Sequence, residues 1–300
     1  MSSAPTRGTA TAEWTRRRER GSRILIRFIV WFSTVAGRSA SRGLLRMCVV
    51  YFFATAGAAR TAARESLRRC LGRESTLAER FRLFMNFGTV LHDRVFLLEG
   101  RNELFDMEVQ GAETLGDGGA ILLGGHLGSF EAMRAVAAGR RSVAMAMYED
   151  NARKVREALG AVAPRMGEHI VPLGRLDSML RLEARLAEGA LVGILADRTL
   201  GDEPCLEIPF LGGTARFPTG PMRIAAALRQ RVLFMAGLYR GANRYEIHFE
   251  PLVDFAQVPE EDRKQRARLI EEAVARYAAC LERHCRAAPD NFFNFYRFWQ

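Results

Sequence analysis

The chain has 300 residues, 48% of them hydrophobic and 26% charged, with five cysteines and a formal net charge of +10. This length and composition suit one large or two modest globular domains, and an odd number of scattered cysteines excludes a disulfide framework. The charge is unevenly distributed, because residues 1–60 hold eleven arginines and two glutamates, whereas the rest of the chain holds 33 basic and 32 acidic groups. The excess positive charge is therefore a property of the N-terminal region.

Two apolar stretches, residues 28–37 and 47–59, lie between these arginines. Each is shorter than the roughly 20 apolar residues that a membrane-spanning helix needs. Basic ends and several aromatic residues favour helices that lie in the membrane interface, with arginines facing lipid phosphates. We therefore predict a membrane-associating region over residues 1–60, bound to an anionic membrane surface, and a second domain over residues 61–300. The alternative is a pair of ordinary core helices with basic ends.

The remaining chain begins with a helical pattern over residues 61–98 and then alternates strands with helices. This alternation predicts an α/β fold with a mostly parallel central sheet flanked by helices. A long, charged, amphipathic helix is predicted over residues 260–286. The elements predicted between these two helices are strands at 104–109, 120–124, 142–147, 169–172, 190–196, 232–239 and 245–251, helices at 129–139, 151–160 and 175–188, and a loop entering a helix over 217–228.

The most informative stretch runs from Ala120 to Glu131. A fully apolar strand ends at Gly124 and Gly125, His126 follows, and a helix carrying Glu131 begins. Open α/β sheets present reactive groups in such turns, at the carboxyl ends of their strands. We predict that His126 acts as a general base and that the carboxylate of Glu131 accepts a hydrogen bond from its Nδ1–H, so that the nucleophile belongs to the substrate. The alternative is a structural histidine followed by a glutamate that the helix dipole favours.

Asp197 and Arg198 follow the apolar strand at 190–196 and are further candidates, although a salt-bridged pair closing a strand is the ordinary interpretation. The sequence contains no nucleophile elbow, phosphate-binding loop, dinucleotide fingerprint or zinc-protease helix motif. Cys280, His284 and Cys285 are close together on one predicted helix. We expect no metal there, because no second pair of ligands accompanies them.

The segment from His126 to Glu131, His-Leu-Gly-Ser-Phe-Glu, resembles the H-x4-D/E block of glycerolipid acyltransferases, and its flanks resemble the bacterial lipid A (lauroyl/myristoyl) acyltransferase family. Three later segments resemble that family in the same order: residues 193–198 (GILADR), 209–220 (PFLG…FPTG) and 289–298 (PDNFFNFYRF). The chain departs from the family in two places. Its tail has Phe and Tyr where Trp and His are usual, and Asp197 is followed by Arg198 rather than by Gln or His.

The resemblance implies transfer of a fatty acyl group from a thioester on acyl carrier protein or coenzyme A to a hydroxyl of a membrane lipid. It implies no cofactor and a bacterial inner membrane protein. We also predict no acyl-enzyme, because no serine or cysteine near His126 forms a nucleophile elbow and Ser129 is interpreted as a helix cap. The basic region predicts binding to the cytoplasmic face of the membrane. The resemblance also assigns a functional arginine to the segment that contains Arg165, with Arg153 as a rival, and gives Arg198 and Asp197 supporting roles.

The resemblance leaves the acceptor open among a lipid A precursor, a mannosylated inositol lipid, a lysophospholipid and an aryl lipid. A hypothesis from another class is a non-catalytic protein that uses its basic region to bind membranes or nucleic acid. Nothing in the sequence resembles an RNA-recognition or helix-turn-helix motif, so we expect no nucleic-acid partner.

Overall fold

The computed structural model describes residues 23–139, 141–148, 170–174, 177–199, 203–258 and 262–299. Its helices are α1 (Arg23–Thr55), α2 (Gly57–Leu71), α3 (Leu77–Leu98), α4 (Phe130–Ala138), α5 (Ser178–Ala187), α6 (Gly220–Ala227) and α7 (Arg263–Ala287). Its strands are β1 (Asp106–Gln110), β2 (Ala120–Gly124), β3 (Val143–Tyr148), β4 (Ile170–Leu173), β5 (Leu191–Leu195), β6 (Cys205–Phe210), β7 (Gly213–Pro218), β8 (Arg231–Tyr239) and β9 (Arg244–Asp254).

A seven-stranded sheet in the order β1-β9-β8-β2-β5-β3-β4 forms the centre of the described structure. The five strands from β8 to β4 are mutually parallel, whereas β9 pairs antiparallel to β8 and carries β1 parallel to itself. All five residues of β2 are buried, as expected for a strand covered on both faces. The predicted α/β fold with a mostly parallel sheet flanked by helices is confirmed.

The apolar stretch at residues 28–37 and most of the one at residues 47–59 lie within one long helix, α1, which is kinked at Gly37, where φ is 79°. The last residues of the second stretch begin α2. Among the described residues, no helix combines the length and the apolar character that crossing a membrane requires. The domain boundary that we predicted after residue 60 lies inside α2, and Val49 of α1 is buried in a core cluster that also contains sheet residues.

A buried aspartate on α3 attaches α1 to the domain. The carboxylate of Asp93 is fully buried and accepts hydrogen bonds from Arg38 at 2.8 and 2.9 Å and from the hydroxyl of Tyr245 at 2.9 Å. Arg42 lies 3.8 Å from the same carboxylate. At least two of the N-terminal arginines therefore neutralise a buried charge, and the expectation that these arginines face lipid phosphates does not hold for them.

Two local predictions need correction. The helical pattern over residues 61–98 is interrupted, because Gly72 takes a left-handed conformation (φ 68°) and Thr76 begins α3 with a capping box to Glu79. The hairpin of β6 and β7 was not predicted, because residues 205–216 were assigned no element and the end of β7 was interpreted as part of a loop entering a helix over residues 217–228. The helix predicted over residues 151–160 lies outside the described residues.

Candidate active site

His126 and Asp197 occupy equivalent positions just past the ends of two neighbouring strands. In the parallel pair formed by β2 and β5, Gly124 is opposite Leu195, and each candidate residue follows two positions later. The carboxyl ends of parallel strands meet at one edge of the sheet, where functional side chains converge. The register therefore places the imidazole directly beside the carboxylate.

The carboxylate of Asp197 contacts both the side chain and the backbone of His126. Nδ1 of His126 lies 2.8 Å from Oδ1 of Asp197, and the backbone N–H of His126 donates to Oδ2 at 3.0 Å. A carboxylate only accepts hydrogen bonds, so Nδ1 carries the proton and Nε2 holds the free lone pair. The Asp197 side chain is 1% exposed, whereas that of His126 is 33% exposed. The imidazole is therefore oriented by a buried charge and open to a substrate.

The electrostatics keep the imidazole neutral and the carboxylate ionised. Burial and the positive charge of Arg198 lower the pKa of His126 below its usual value, and Asp197 opposes them only partly. Burial alone would raise the pKa of Asp197, but His126 and Arg198 outweigh it and lower the pKa to about 2. At neutral pH His126 is thus an available base beside a negative charge that stabilises its protonated form.

The backbone of His126 is held by the segment that follows α7. The N–H of Phe293 donates to the carbonyl of His126 at 2.8 Å, and the N–H of Gly128 donates to the carbonyl of Asn291 at 2.9 Å. Gly128 has φ of 68°, and a Cβ there would lie 2.0 Å from the carbonyl oxygen of Gly237. Only glycine fits this close approach, and the turn that presents the histidine is fixed from both sides.

Glu131 does not orient His126, which corrects the prediction made from the H-x4-E spacing. Its carboxylate is 2% exposed and lies 2.8 Å from the guanidinium of Arg94 and 2.8 Å from that of Arg134. Because α4 begins at Phe130, the side chain of Glu131 belongs to the first turn and reaches α3 instead of the imidazole. Asp197 takes the role that we assigned to Glu131.

Ser129 is occupied as the N-cap of α4. Its hydroxyl accepts a hydrogen bond from the N–H of Ala132 at 3.1 Å, and the residue is 1% exposed. This capping role was predicted, and the hydroxyl adjacent to the histidine turn is therefore engaged in holding the helix terminus.

Arg198 lies beside the dyad and against the C-terminal tail. Its guanidinium stacks over the ring of Tyr296 at 4.8 Å and donates to the carbonyl of Phe293 at 3.3 Å. The tail was singled out in the sequence by its resemblance to the family's aromatic ending, and its contacts with Arg198 and with the backbone of His126 had no separate signal. Arg165 and its rival Arg153 lie outside the described residues.

A mostly parallel α/β sheet with a histidine–aspartate dyad at its carboxyl edge has the arrangement that enzymes use for general base catalysis. The chain belongs to the bacterial lipid A biosynthesis acyltransferase family, whose profile matches residues 16–300. The protein is therefore an enzyme that transfers acyl groups to a lipid, and the hypothesis of a non-catalytic binding protein is wrong.

No curated protein sequence matches this chain. Among solved structures, the crystal structure of the 1-acyl-sn-glycerophosphate acyltransferase from Thermotoga maritima is similar to it. That similarity covers 80% of this chain and 96% of the other, with 16% identity and a TM-score of 0.40.

Proposed function

We propose that the protein transfers a fatty acyl group from a thioester, carried by acyl carrier protein or coenzyme A, to a hydroxyl of a membrane glycolipid of the lipid A type. The observation that supports this chemistry most strongly is the 2.8 Å contact between Nδ1 of His126 and the buried carboxylate of Asp197. It orients Nε2 as a base for a hydroxyl that the acceptor lipid supplies.

In this proposal the acyl group passes directly from the thioester to the acceptor through a tetrahedral intermediate. Nε2 of His126 removes the proton of the acceptor hydroxyl as its oxygen attacks the thioester carbonyl, and a tetrahedral oxyanion forms. Collapse of this intermediate breaks the carbon–sulfur bond, and the proton held by the imidazole passes to the leaving thiolate. Asp197 stabilises the imidazolium between these two transfers, acting as a positioning residue.

In this proposal the guanidinium of Arg198 stabilises the oxyanion. It is close enough to lower the pKa of His126, and stacking on Tyr296 fixes its guanidinium plane. A fixed positive charge at the site of developing negative charge stabilises the transition state without reorganisation. Arg165 stays a second candidate for this role or for binding an acceptor phosphate.

The acceptor is proposed from the family, since lipid A biosynthesis is what the family description names. A mannosylated inositol lipid, a lysophospholipid and an aryl lipid are alternatives that present the same kind of hydroxyl. No cofactor takes part in the proposed reaction, and nucleic acid is not a proposed partner. Incubation of the enzyme with each acceptor and with both classes of donor, read by mass spectrometry of the lipid product, distinguishes these substrates.

We also propose that α1 docks the enzyme on the cytoplasmic face of a bacterial inner membrane. Met47, Val50 and Tyr51 are spaced along one face of the helix and are 71%, 54% and 63% exposed. Trp31 and Val35 are exposed earlier on the same helix. Exposed apolar and aromatic side chains beside arginines suit an anionic membrane surface.

The test of the proposed chemistry is the substitution His126→Ala. We expect it to lower acyl transfer by roughly 10²–10⁴-fold, the usual contribution of a general base. Circular dichroism and the thermal unfolding midpoint show whether the variant is folded, since His126 is partly exposed and its removal should leave the core intact. A folded variant with activity close to that of the unmodified enzyme would contradict the proposal.

A further inference from the structure

Four side chains with metal-binding atoms meet where α7 crosses β9. His248 and Glu250 are two residues apart on the strand, so both face α7. Cys280 and His284 are four residues apart on the helix, so both face the strand. This arrangement combines a His-x-Glu strand with a Cys-x3-His helix and does not overlap the dyad.

The distances between these groups are short. Nε2 of His284 lies 2.7 Å from Oε1 of Glu250, and Sγ of Cys280 lies 3.9 Å from Oε2 of Glu250. The rings of His248 and His284 are 4.5 Å apart between centroids. One donor atom from each of His248, Glu250 and His284 lies within 4.8 Å of the other two. Sγ of Cys280 lies outside this group of three, on the side of Glu250, and would have to turn toward the two imidazoles. Zinc–ligand bonds of about 2.0–2.3 Å place tetrahedral ligand atoms roughly 3.5 Å apart, so small side-chain rotations would complete the site.

One buried nitrogen in the cluster lacks a hydrogen bond. Nε2 of His248 is inaccessible to solvent and has no hydrogen-bond partner of acceptable geometry among the described residues. Its nearest acceptor among the described residues is Oε1 of Glu246, 3.0 Å away. A buried polar atom in this condition is costly, and a metal ion is one way to satisfy it.

Arg283 occupies the outer side of the cluster. Its guanidinium forms an ion pair with Oε2 of Glu250, while the Arg283 side chain remains 57% exposed. A metal ion would take the carboxylate from this arginine and from His284. Because Arg283 is mostly in solvent, its competition with a metal ion for Glu250 is weak. Removing the Arg283 guanidinium by substitution is therefore a direct probe of the site.

We propose that His248, Glu250, Cys280 and His284 bind one Zn²⁺ ion that fastens α7 to β9. Two imidazoles, a thiolate and a carboxylate are a donor set that zinc accepts, and four protein ligands make a closed, structural site. The absence of a second ligand pair argued against metal when α7 was considered alone, but β9 supplies that pair.

The position gives the ion a structural role near the active site. His284 precedes by a few residues the segment from Asn291 to Phe293, which holds the backbone of His126 and Gly128. Fixing the end of α7 on the sheet therefore fixes the start of that segment. The ion itself takes no part in acyl transfer, so the proposal is independent of the proposed function.

The experiment titrates Zn²⁺ and then Co²⁺ into full-length, detergent-purified protein that has been freed of metal with a chelator. We expect one Zn²⁺ per chain by calorimetry and a higher thermal unfolding midpoint in its presence. With Co²⁺ we expect the intense visible absorption of a tetrahedral site and a thiolate-to-cobalt charge-transfer band in the near ultraviolet.

The variants His248→Gln and Glu250→Gln should each weaken Zn²⁺ binding by at least roughly 10-fold, the lower limit for disturbing even the outer partners of a metal site. Cys280→Ser should remove the charge-transfer band, and Arg283→Gln should tighten binding. Glu272→Gln is the matched control, because it removes an α7 carboxylate that pairs with an exposed arginine, Arg268, and it should bind Zn²⁺ as the unmodified protein does.

Two results would overturn the proposal. The first is an unmodified protein that shows no saturable binding of Zn²⁺, a readout that does not depend on any variant folding. The second is a folded His248→Gln or Glu250→Gln variant that binds Zn²⁺ as tightly as the control. A charge-transfer band that survives in Cys280→Ser contradicts the four-ligand set.

Discussion

Asp197→Asn is the substitution that most directly separates positioning from base catalysis. The carboxylate accepts two hydrogen bonds, from Nδ1 and from the backbone N–H of His126, at 2.8 and 3.0 Å. Asparagine has one acceptor oxygen and one donor amide group, so it cannot satisfy both donors. Either the backbone bond or the required tautomer of the imidazole is lost, while the volume of the side chain is conserved.

The expected fall in kcat of the Asp197→Asn variant follows from the negative charge that the substitution removes. When His126 is protonated in the transition state, Asp197 lies beside an imidazolium in a nearly solvent-free position. Two unit charges about 4 Å apart at an effective dielectric constant of about 20 attract by about 4 kcal/mol, which corresponds to about 10³-fold in rate. We expect kcat to fall by this order.

The pH profile gives a readout that a merely structural role would not change. His126 must be neutral to act, so kcat/KM of the unmodified enzyme should rise with pH through a pKa below about 6.5 and then reach a plateau. Asp197 opposes the lowering of the His126 pKa. Its neutralisation should therefore lower that pKa further and move the acid limb to lower pH, with a lower plateau.

The assay measures acyl transfer from a labelled thioester to lipid over a range of pH. Asp177→Asn is the matched control, because Asp177 also pairs with an arginine, Arg181, but its side chain is 41% exposed on the surface. A folded Asp197→Asn variant with the plateau and acid limb of the control would refute the dyad.

Three further predictions concern other parts of the chain. Glu131→Gln should destabilise the fold by about 1–3 kcal/mol in chemical denaturation, because it leaves Arg94 and Arg134 partly buried without their charge partner; an unchanged stability would show that these ion pairs contribute nothing. Intact-protein mass spectrometry with donor alone should show no acyl adduct, since Ser129 caps α4, and an adduct discharged by acceptor would contradict direct transfer. The double substitution Met47→Ser and Tyr51→Ser should reduce flotation with anionic liposomes while sparing activity on detergent-dispersed acceptor. Full flotation of this variant would exclude this face as the membrane contact.

The sequence was sufficient to locate the histidine but not its partner. An apolar strand that ends in two glycines predicts a turn at a sheet edge, and His126 is found there. The partner depends on strand order: β5 lies next to β2 although β3 and β4 intervene in the chain. Asp197 is thus brought to His126 by long-range pairing that has no local signal. Its position two residues past a buried strand, as for His126, was the available clue.

Glu131 shows why proximity in sequence was misleading. A side chain in the first turn of a helix points back toward the N-terminal end and outward from the helix axis. Its orientation relative to His126 depends on the path of the turn between them, which Gly128 sets with a left-handed conformation. One of the two arginines that Glu131 pairs with, Arg94, lies 37 positions earlier in the chain, on α3. The motif was informative about the location of the site but not about which carboxylate serves the imidazole.

The N-terminal region also differs from what its summed charge suggested. Arg38 and Arg42 are directed at Asp93, so these charges contribute to packing of α1 on the domain. Phe52 and Phe53 are not fully exposed either. The membrane proposal therefore depends on the exposed face formed by Met47, Val50 and Tyr51 more than on a count of arginines.

The buried side of α1 connects this face to the active site. Phe53 packs edge-on against Phe84 of α3 at 5.2 Å, and Phe84 packs against Phe295 of the C-terminal tail at 4.9 Å. Two residues earlier, Phe293 holds the carbonyl of His126. Deleting residues 1–60 would remove the proposed membrane contacts, expose the aromatic rings of Phe84 and Phe295, and cut α2 at the same time, so a loss of activity would have several causes. Substitutions confined to the exposed face leave these aromatic contacts in place. A change in activity on membrane-embedded acceptor can therefore be assigned to the membrane contact only with such substitutions.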